Sequence, residues 1–386
     1  MKNYISVLEG IEGIKATNDG FTACASFLNQ LFESSIRNWR FPPGTYIIEK
    51  TLRLTSDLSI QFDPGAKLIL ADGAATEPGD YLMTNADHEE GNQDIEIVGG
   101  VFDGNQIGNP RPSGLFDLGY TGTMLHFRNV KNLKVQNVLL KNAEAYYLRL
   151  TCVKEFEIEN IHFDSDFIRP NNDGIHLGGN CSLGKIKNIF ATRENVTGDD
   201  LIALNADDAL DRTEVRGMTN GDISDICIEN IQAHSCHTFI RLLCVSSVIR
   251  NVSISKVQGG FSQCAINADG ARGCRVPLFD ESDAAFFDGV GLLKDITIQD
   301  INVWRTSERS TAPIELQERM SNLQIRNFLF SIRDHSLTQN IVLRYRHVFV
   351  RNSFINGQEV FADTRSGNPA FEFIDNRIES AILSSL

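Results

Sequence analysis

The chain has 386 residues, 42% of them hydrophobic and 22% charged, the composition of an ordinary globular protein rather than a disordered or fibrous one. Its 36 basic residues are outnumbered by 50 acidic ones, a formal charge of −14, and no run of Lys or Arg resembles a nucleic-acid patch. No stretch approaches the roughly 18–20 apolar residues needed to cross a bilayer, so neither nucleic acid nor membrane is an expected partner.

The opening MKNYISVLEGIEG has no apolar core of signal-peptide length, and a cytoplasmic location is expected. The eight cysteines are scattered without CxxC pairs, which reads as reduced, mostly buried thiols. No His/Cys spacing of metal-site type occurs, so no metal or other cofactor is expected. Apolar residues at Phe27, Leu28, Leu31 and Phe32 predict a helix over Thr22–Ser35. The rigid turn Phe41–Tyr46 follows. From Leu52 onward the apolar residues alternate with period two, as strands do.

A motif then recurs: apolar-x-apolar-x-Asn-apolar. It carries Asn137, Asn160, Asn188 and Asn230, then Lys256 and Asp300 in the Asn place, then Asn327 and the weaker copies at Asn352 and Asn376. The period is near 25 residues, stretched twice by inserts around Asp207–Gly221 and Ala271–Gly289. Strand alternation at this period, without a helix in each repeat, predicts an all-β fold. It is a single-domain right-handed parallel β-helix with a short N-terminal capping helix. One domain spans 1–386, with the cap and first strand in 1–50 and the coils in 51–386. The recurring Asn fits a tight bend, because Asn tolerates the left-handed conformation and its amide can hydrogen-bond a stacked copy of itself.

Two acidic clusters stand one coil apart, Asp173 in Asn171–Ile175 and Asp199-Asp200 in Gly198–Ile202. Overlaying the coils sets Ile175 and Leu177 on Leu201 and Ala203, facing the core. His176 and Asp200 then point outward, with Asp173 and Asp199 at the bend before the strand. Carboxylates on adjacent coils raise one another's pKa, which can turn like side chains into an acid and a base. The neighbouring coils add His237, Arg241, Arg149 and Tyr147 to the same face. This mixture of acids, cations and rings fits a sugar groove. The competing reading is turn chemistry on a solvated sheet face, since Asp-Gly and Gly-Asp are turn dipeptides.

At these residues the sequence resembles the polygalacturonase family of glycoside hydrolases, family 28, and related pectin-active β-helix proteins. The resemblance is carried by FPPGTY at Phe41–Tyr46, GGVFDGN at Gly99–Asn105, NNDG at Asn171–Gly174 and GDD at Gly198–Asp200. Asn172 stands where the family has Thr. The family's Gly-His-Gly survives only as Cys236-His237-Thr238, and its Arg-Ile-Lys falls on Ala265-Ile266-Asn267. Pro313–Leu316 brings Glu315 toward the groove.

The resemblance implies inverting hydrolysis of an O-glycosidic bond, with a carbohydrate as partner. Asp200 is expected to be the general acid, Asp173 and Asp199 to hold and deprotonate water, and His237 to orient the substrate or tune the acid. His176, Arg149, Tyr147, Arg241, Asn267 and Glu315 are the expected substrate-binding residues. The missing cations at Ala265 and Asn267 point away from plain polygalacturonate. Calcium is compatible with such a groove but not required, and assembly as a homo-oligomer stays open. Two other classes compete. A β-helix lyase would work by proton abstraction, and a non-catalytic carbohydrate-binding solenoid would tolerate loss of Asp200.

Overall fold

The computed structural model describes residues 2–111, 121–208, 214–215, 217–270, 291–307, 313–316, 319–331, 341–345, 349–355, 358–363 and 371–374. Among them the backbone winds as a right-handed parallel β-helix. Each middle coil contributes one long strand and one short one, and every strand pairs in parallel with its counterpart one turn away. The long strands Val130–Lys141, Lys154–Asp164, Ser182–Ala191 and Ile223–Leu243 stack in this way. The short strands Leu125–Arg128, Leu148–Thr151, Ile175–Leu177 and Asp200–Asn205 stack beside them.

Period-two alternation explains what fills the interior. Ile158, Ile186 and Ile228 pair rung upon rung, as do Ile161, Ile189 and Ile231, and all six are fully buried. Between the members of each such couple the chain bends sharply at one residue with positive φ: Asn160 at 55°, Asn188 at 57° and Asn230 at 60°. A non-glycine residue there costs about 1–2 kcal/mol. The stack offsets this. The Asn160 amide donates to Asn137, Asn188 to Asn160 and Asn230 to Asn188, at 2.7–2.9 Å. Each bond is worth about 0.5–1.5 kcal/mol net. The ladder breaks at Lys256, which keeps φ at 59° but reaches sideways to Glu229. It resumes where Asn327 donates to Asp300.

The expected cap is present and shorter, a helix over Ala25–Glu33. It buries Ala25, Leu28, Leu31 and Phe32, while Phe27, placed on the apolar face by the sequence pattern, is exposed. The helix starts three residues late because its first donors are held from outside: the Glu49 carboxylate accepts from the Ala25 and Ser26 amides. Toward the C-terminus antiparallel pairs join the stack. Phe349–Ile355, the Asn352 copy, pairs in parallel with Arg319–Ser331 and antiparallel with Gln358–Asp363. The Asn376 copy and the insert 271–289 lie outside the described residues, as do 209–213 and 216 of the first insert.

Candidate active site

The short strands form one face of the helix, and on it Arg53, Thr84, His126, Arg149, His176, Ala203, Arg241, Asn267 and Glu315 stack one per rung. This corrects the expected register. Ile175 pairs with Ile202 and Leu177 with Leu204, so Ala203, not Ile202, stands beside His176. A one-residue slip exchanges the faces of a strand. The same pairing continues into the bend, where the Gly174 amide donates to the Asp200 carbonyl. Asp173 and Asp200 thus meet on adjacent rungs, and Asp200 in turn pairs with Thr238. The glycines of both acidic motifs are sterically required: a Cβ on Gly174 would stand 2.5 Å from the Leu201 carbonyl oxygen, and one on Gly198 2.3 Å from that of Arg169.

An open cleft of about 500 Å³ lies over these rungs. Asp173, Asp199, Asp200, His176, His237, Arg241 and Asn267 line it, with Tyr146, Asn171, Asn205, Asp208 and Thr238. Seven of the ten expected site residues therefore converge. The other three are placed elsewhere. Tyr147 points into the core, fully buried against Phe163, with its hydroxyl donating to the Asp164 carbonyl. Its neighbour Tyr146 takes the groove position, the ring 4.8 Å from that of His176. Arg149 is buried beneath Tyr146, its guanidinium 5.4 Å from the ring, and Nε donates to His126 Nδ1 at 3.1 Å. Glu315 is nearly buried one rung beyond Asn267, outside the cleft lining.

Two of the three aspartates are enclosed and one is open. The Asp173 and Asp200 side chains are 5% and 4% exposed, that of Asp199 23%. His176 Nδ1 sits 2.7 Å from Asp173 Oδ2. The Asn171 amide donates to Asp199 at 3.3 Å, and His237 Nδ1 is 3.6 Å from its other oxygen. Asn172, at the family's Thr position, is fully buried and donates to the carbonyls of Ala143 and Ala145, which anchors the loop carrying Asp173.

Burial pushes the Asp200 carboxyl well above its ordinary value of 3.8. The charge of Arg241 works against this, and those of Asp199, Asp173 and Asp269 add to it. Arg241 is held in its charged form: burial opposes the charge, but Asp269, Asp200, Asp199 and Asp173 more than compensate. An enclosed carboxyl that holds its proton more tightly than usual thus shares one cleft with a second carboxyl group open to solvent, two like side chains in unlike surroundings. Asp199, Asp200 and His237 also offer three ligand atoms within 4.8 Å of one another, a set that could receive a hard cation.

Sequence reasoning missed Asp269. It lies behind the lining, and its carboxylate accepts from Arg241 Nε and Nη2 at 3.1 and 2.9 Å. The tripeptide Asn-Ala-Asp occurs both at 205–207 and at 267–269, but this signal does not discriminate. Asp207, at the start of the first insert, is buried and accepts from the turn at Val245–Ser247.

Fold and cleft together define a parallel β-helix protein with an acidic groove on one face. Comparison with known proteins narrows this. Residues 91–221 match the family model for glycosyl hydrolases family 28, covering the coils that hold Asp173, Asp199 and Asp200. Exopolygalacturonase clone GBGE184 of Arabidopsis thaliana is 32% identical over 82 residues, 21% of this chain and 18% of that protein. The chain spans between about a fifth and a third of the length of the curated relatives it matches. Among solved structures, the Streptococcus pneumoniae adhesin PfbA superposes with a TM-score of 0.63 at 12% identity, over 91% of this chain and 95% of that one. The polygalacturonase of Erwinia carotovora superposes with a TM-score of 0.58 at 12% identity, over 90% and 96%. At such identity these two share the fold.

Proposed function

We propose that the protein hydrolyses O-glycosidic bonds in a pectin-related poly- or oligosaccharide with inversion at the anomeric carbon. The observation that carries this is the buried Asp200 carboxyl, raised above its ordinary value and flanked by Asp173 and Asp199 at the floor of an open cleft. Asp200 protonates the glycosidic oxygen. Asp199, open to solvent, and Asp173, oriented by His176, hold the water and take its proton. His237, beside Asp199 and on the rung next to that of Asp200, steers the sugar into place.

A glycan hydrolysis screen with reducing-end detection tests the activity, and nuclear magnetic resonance of the fresh product tests the stereochemistry. An inverted anomer is expected. A retained anomer removes the water-activation scheme. An unsaturated, ultraviolet-absorbing product would select lyase chemistry instead. The likeness to an adhesin supports a second reading, a non-catalytic glycan-binding solenoid. On that reading Asp200→Asn leaves function intact.

A further inference from the structure

Among its described lining residues the cleft holds one guanidinium, that of Arg241, and the protein's own carboxylates already engage it. Two of its nitrogens donate to Asp269 Oδ1, at 3.1 and 2.9 Å, and Nη1 lies 3.5 Å from Asp200 Oδ2. The pair is enclosed: the Arg241 side chain is 16% exposed and that of Asp269 4%. An incoming anion would have to displace a charge-assisted bond that solvent barely reaches. Asp173, Asp199 and Asp208 add negative potential to the same space. On the next coil the residue opposite Arg241 is Asn267. An amide both donates and accepts, which matches a hydroxyl or an ester better than a carboxylate.

We infer that Asp269 is a specificity-determining residue: by occupying Arg241 it makes the subsite beside Asp200 take an uncharged glycosyl unit, such as an esterified uronate, and refuse the free uronate. This deepens the proposed hydrolysis and rests on the cleft being a sugar site. The requirement belongs to Asp269, which touches Arg241 and stands outside the cleft lining.

The test is titration calorimetry of the full chain with two probes that differ at the carboxyl groups, trigalacturonate and its methyl ester. The wild type is expected to bind the ester at least about tenfold more tightly, the order of one charge-assisted hydrogen bond. Raising the salt concentration should narrow the ratio, because screening weakens the repulsion. Asp269→Asn leaves Arg241 available to the ligand and should move the ratio toward the free acid by about tenfold. A wild type that binds the acid equally or better, or binds neither probe, overturns the inference. So does a folded Asp269→Asn whose ratio stays within about twofold of wild type, well short of one charge-assisted bond. Should that variant fail to fold, the wild-type ratio and its salt dependence decide alone. The binding ratio and bond cleavage are separate readouts, so the two readings fail separately. Selective ester binding with no bond cleavage sinks the hydrolase and keeps the specificity. Cleavage with the free acid preferred does the reverse.

Discussion

Two edges of the same helix stack like upon like, with opposite results. At the amide edge, Asn137, Asn160, Asn188 and Asn230 form a ladder of three bonds, in which Asn160 and Asn188 each donate to the copy behind and accept from the copy ahead. At the cleft edge the repeat sets Asp173 against Asp200, with Asp199 and Asp269 close by. A carboxylate only accepts, so stacking frustrates these groups, and one is pushed toward its protonated form. Backbone geometry is shared between the edges. The donor–acceptor inventory of the side chain decides whether a repeat stores stability or reactivity.

The largest effect should come from disarming the frustrated edge. Asp200→Asn keeps shape and hydrogen bonding but deletes the transferable proton, and should lower hydrolysis about 10²–10⁴-fold. Groups acting as a unit are not additive, so Asp173→Asn/Asp200→Asn should be little worse than either single change. Reducing-end assays decide. Retention of more than about a tenth of the activity, below the ordinary general-acid contribution, sinks the assignment.

The next effect belongs to the satisfied edge. Asn188→Ala removes two ladder bonds and leaves alanine at a φ of 57°. A loss of about 2–4 kcal/mol in urea unfolding is expected from the strain and the orphaned amides. Asn188→Gly should recover the conformational part. If Asn188→Ala unfolds like wild type, the ladder contributes nothing.

A smaller effect, of opposite sign, separates the edges. Asp200 has its pKa raised by folding, so the folded state disfavours its ionisation. The resulting penalty is absent below about 3.8, grows as pH rises toward the folded pKa and is constant above it. Asp200→Asn should therefore melt above wild type at pH 7, with the gap closing as pH falls toward 3.8. A gap of the other sign would mean that Asp200 is stabilised as a carboxylate.

The smallest change sharpens the comparison from the amide side. Lys256 lies between Asn230 and Asp300 in the pairing of successive coils. Lys256→Asn should extend the first ladder segment by one bond, donated to Asn230, while the Asp300 carboxylate ahead has no hydrogen to give. The exposed ion pair with Glu229 would be lost, and it is worth little. A gain of about 0.5 kcal/mol is expected. No gain in the same unfolding experiment would show that the break is not a missing amide.

The fold was legible because a β-helix writes its period into the chain: the Asn bends recur with the coil, and the apolar residues around them alternate. The acidic motifs were legible for the same reason. Their register was not. The connection into Ile175–Leu177 spans 165–174 and that into Asp200–Asn205 spans 192–199. Counting from the Asn bends therefore slipped one residue, and Ile202 was set opposite His176 where Ala203 stands. Tyr147 fell to the neighbouring problem. In Tyr146-Tyr147 the alternation allows either ring to face the core, and the buried hydroxyl bond to the Asp164 carbonyl, invisible in sequence, selects Tyr147. Asp269 was missed because its partner Arg241 is assigned by a contact between coils rather than by any local pattern.

The thiols of Cys24 and Cys181 lie fully buried at two heights of the stack, one at the start of the capping helix and the other in the middle coils. Burial pushes both up to about 12, with the charge of Glu49 adding to it at Cys24. Alkylating reagents attack the thiolate, so at neutral pH each thiol becomes reactive only in molecules whose coil has opened. A solenoid holds each turn through its immediate neighbours alone. The end of the stack can therefore fray while the middle stays shut. The two cysteines act as a pair of clocks built into the chain, Cys24 timing the loosening of the cap and Cys181 the dissolution of the coils that carry the cleft.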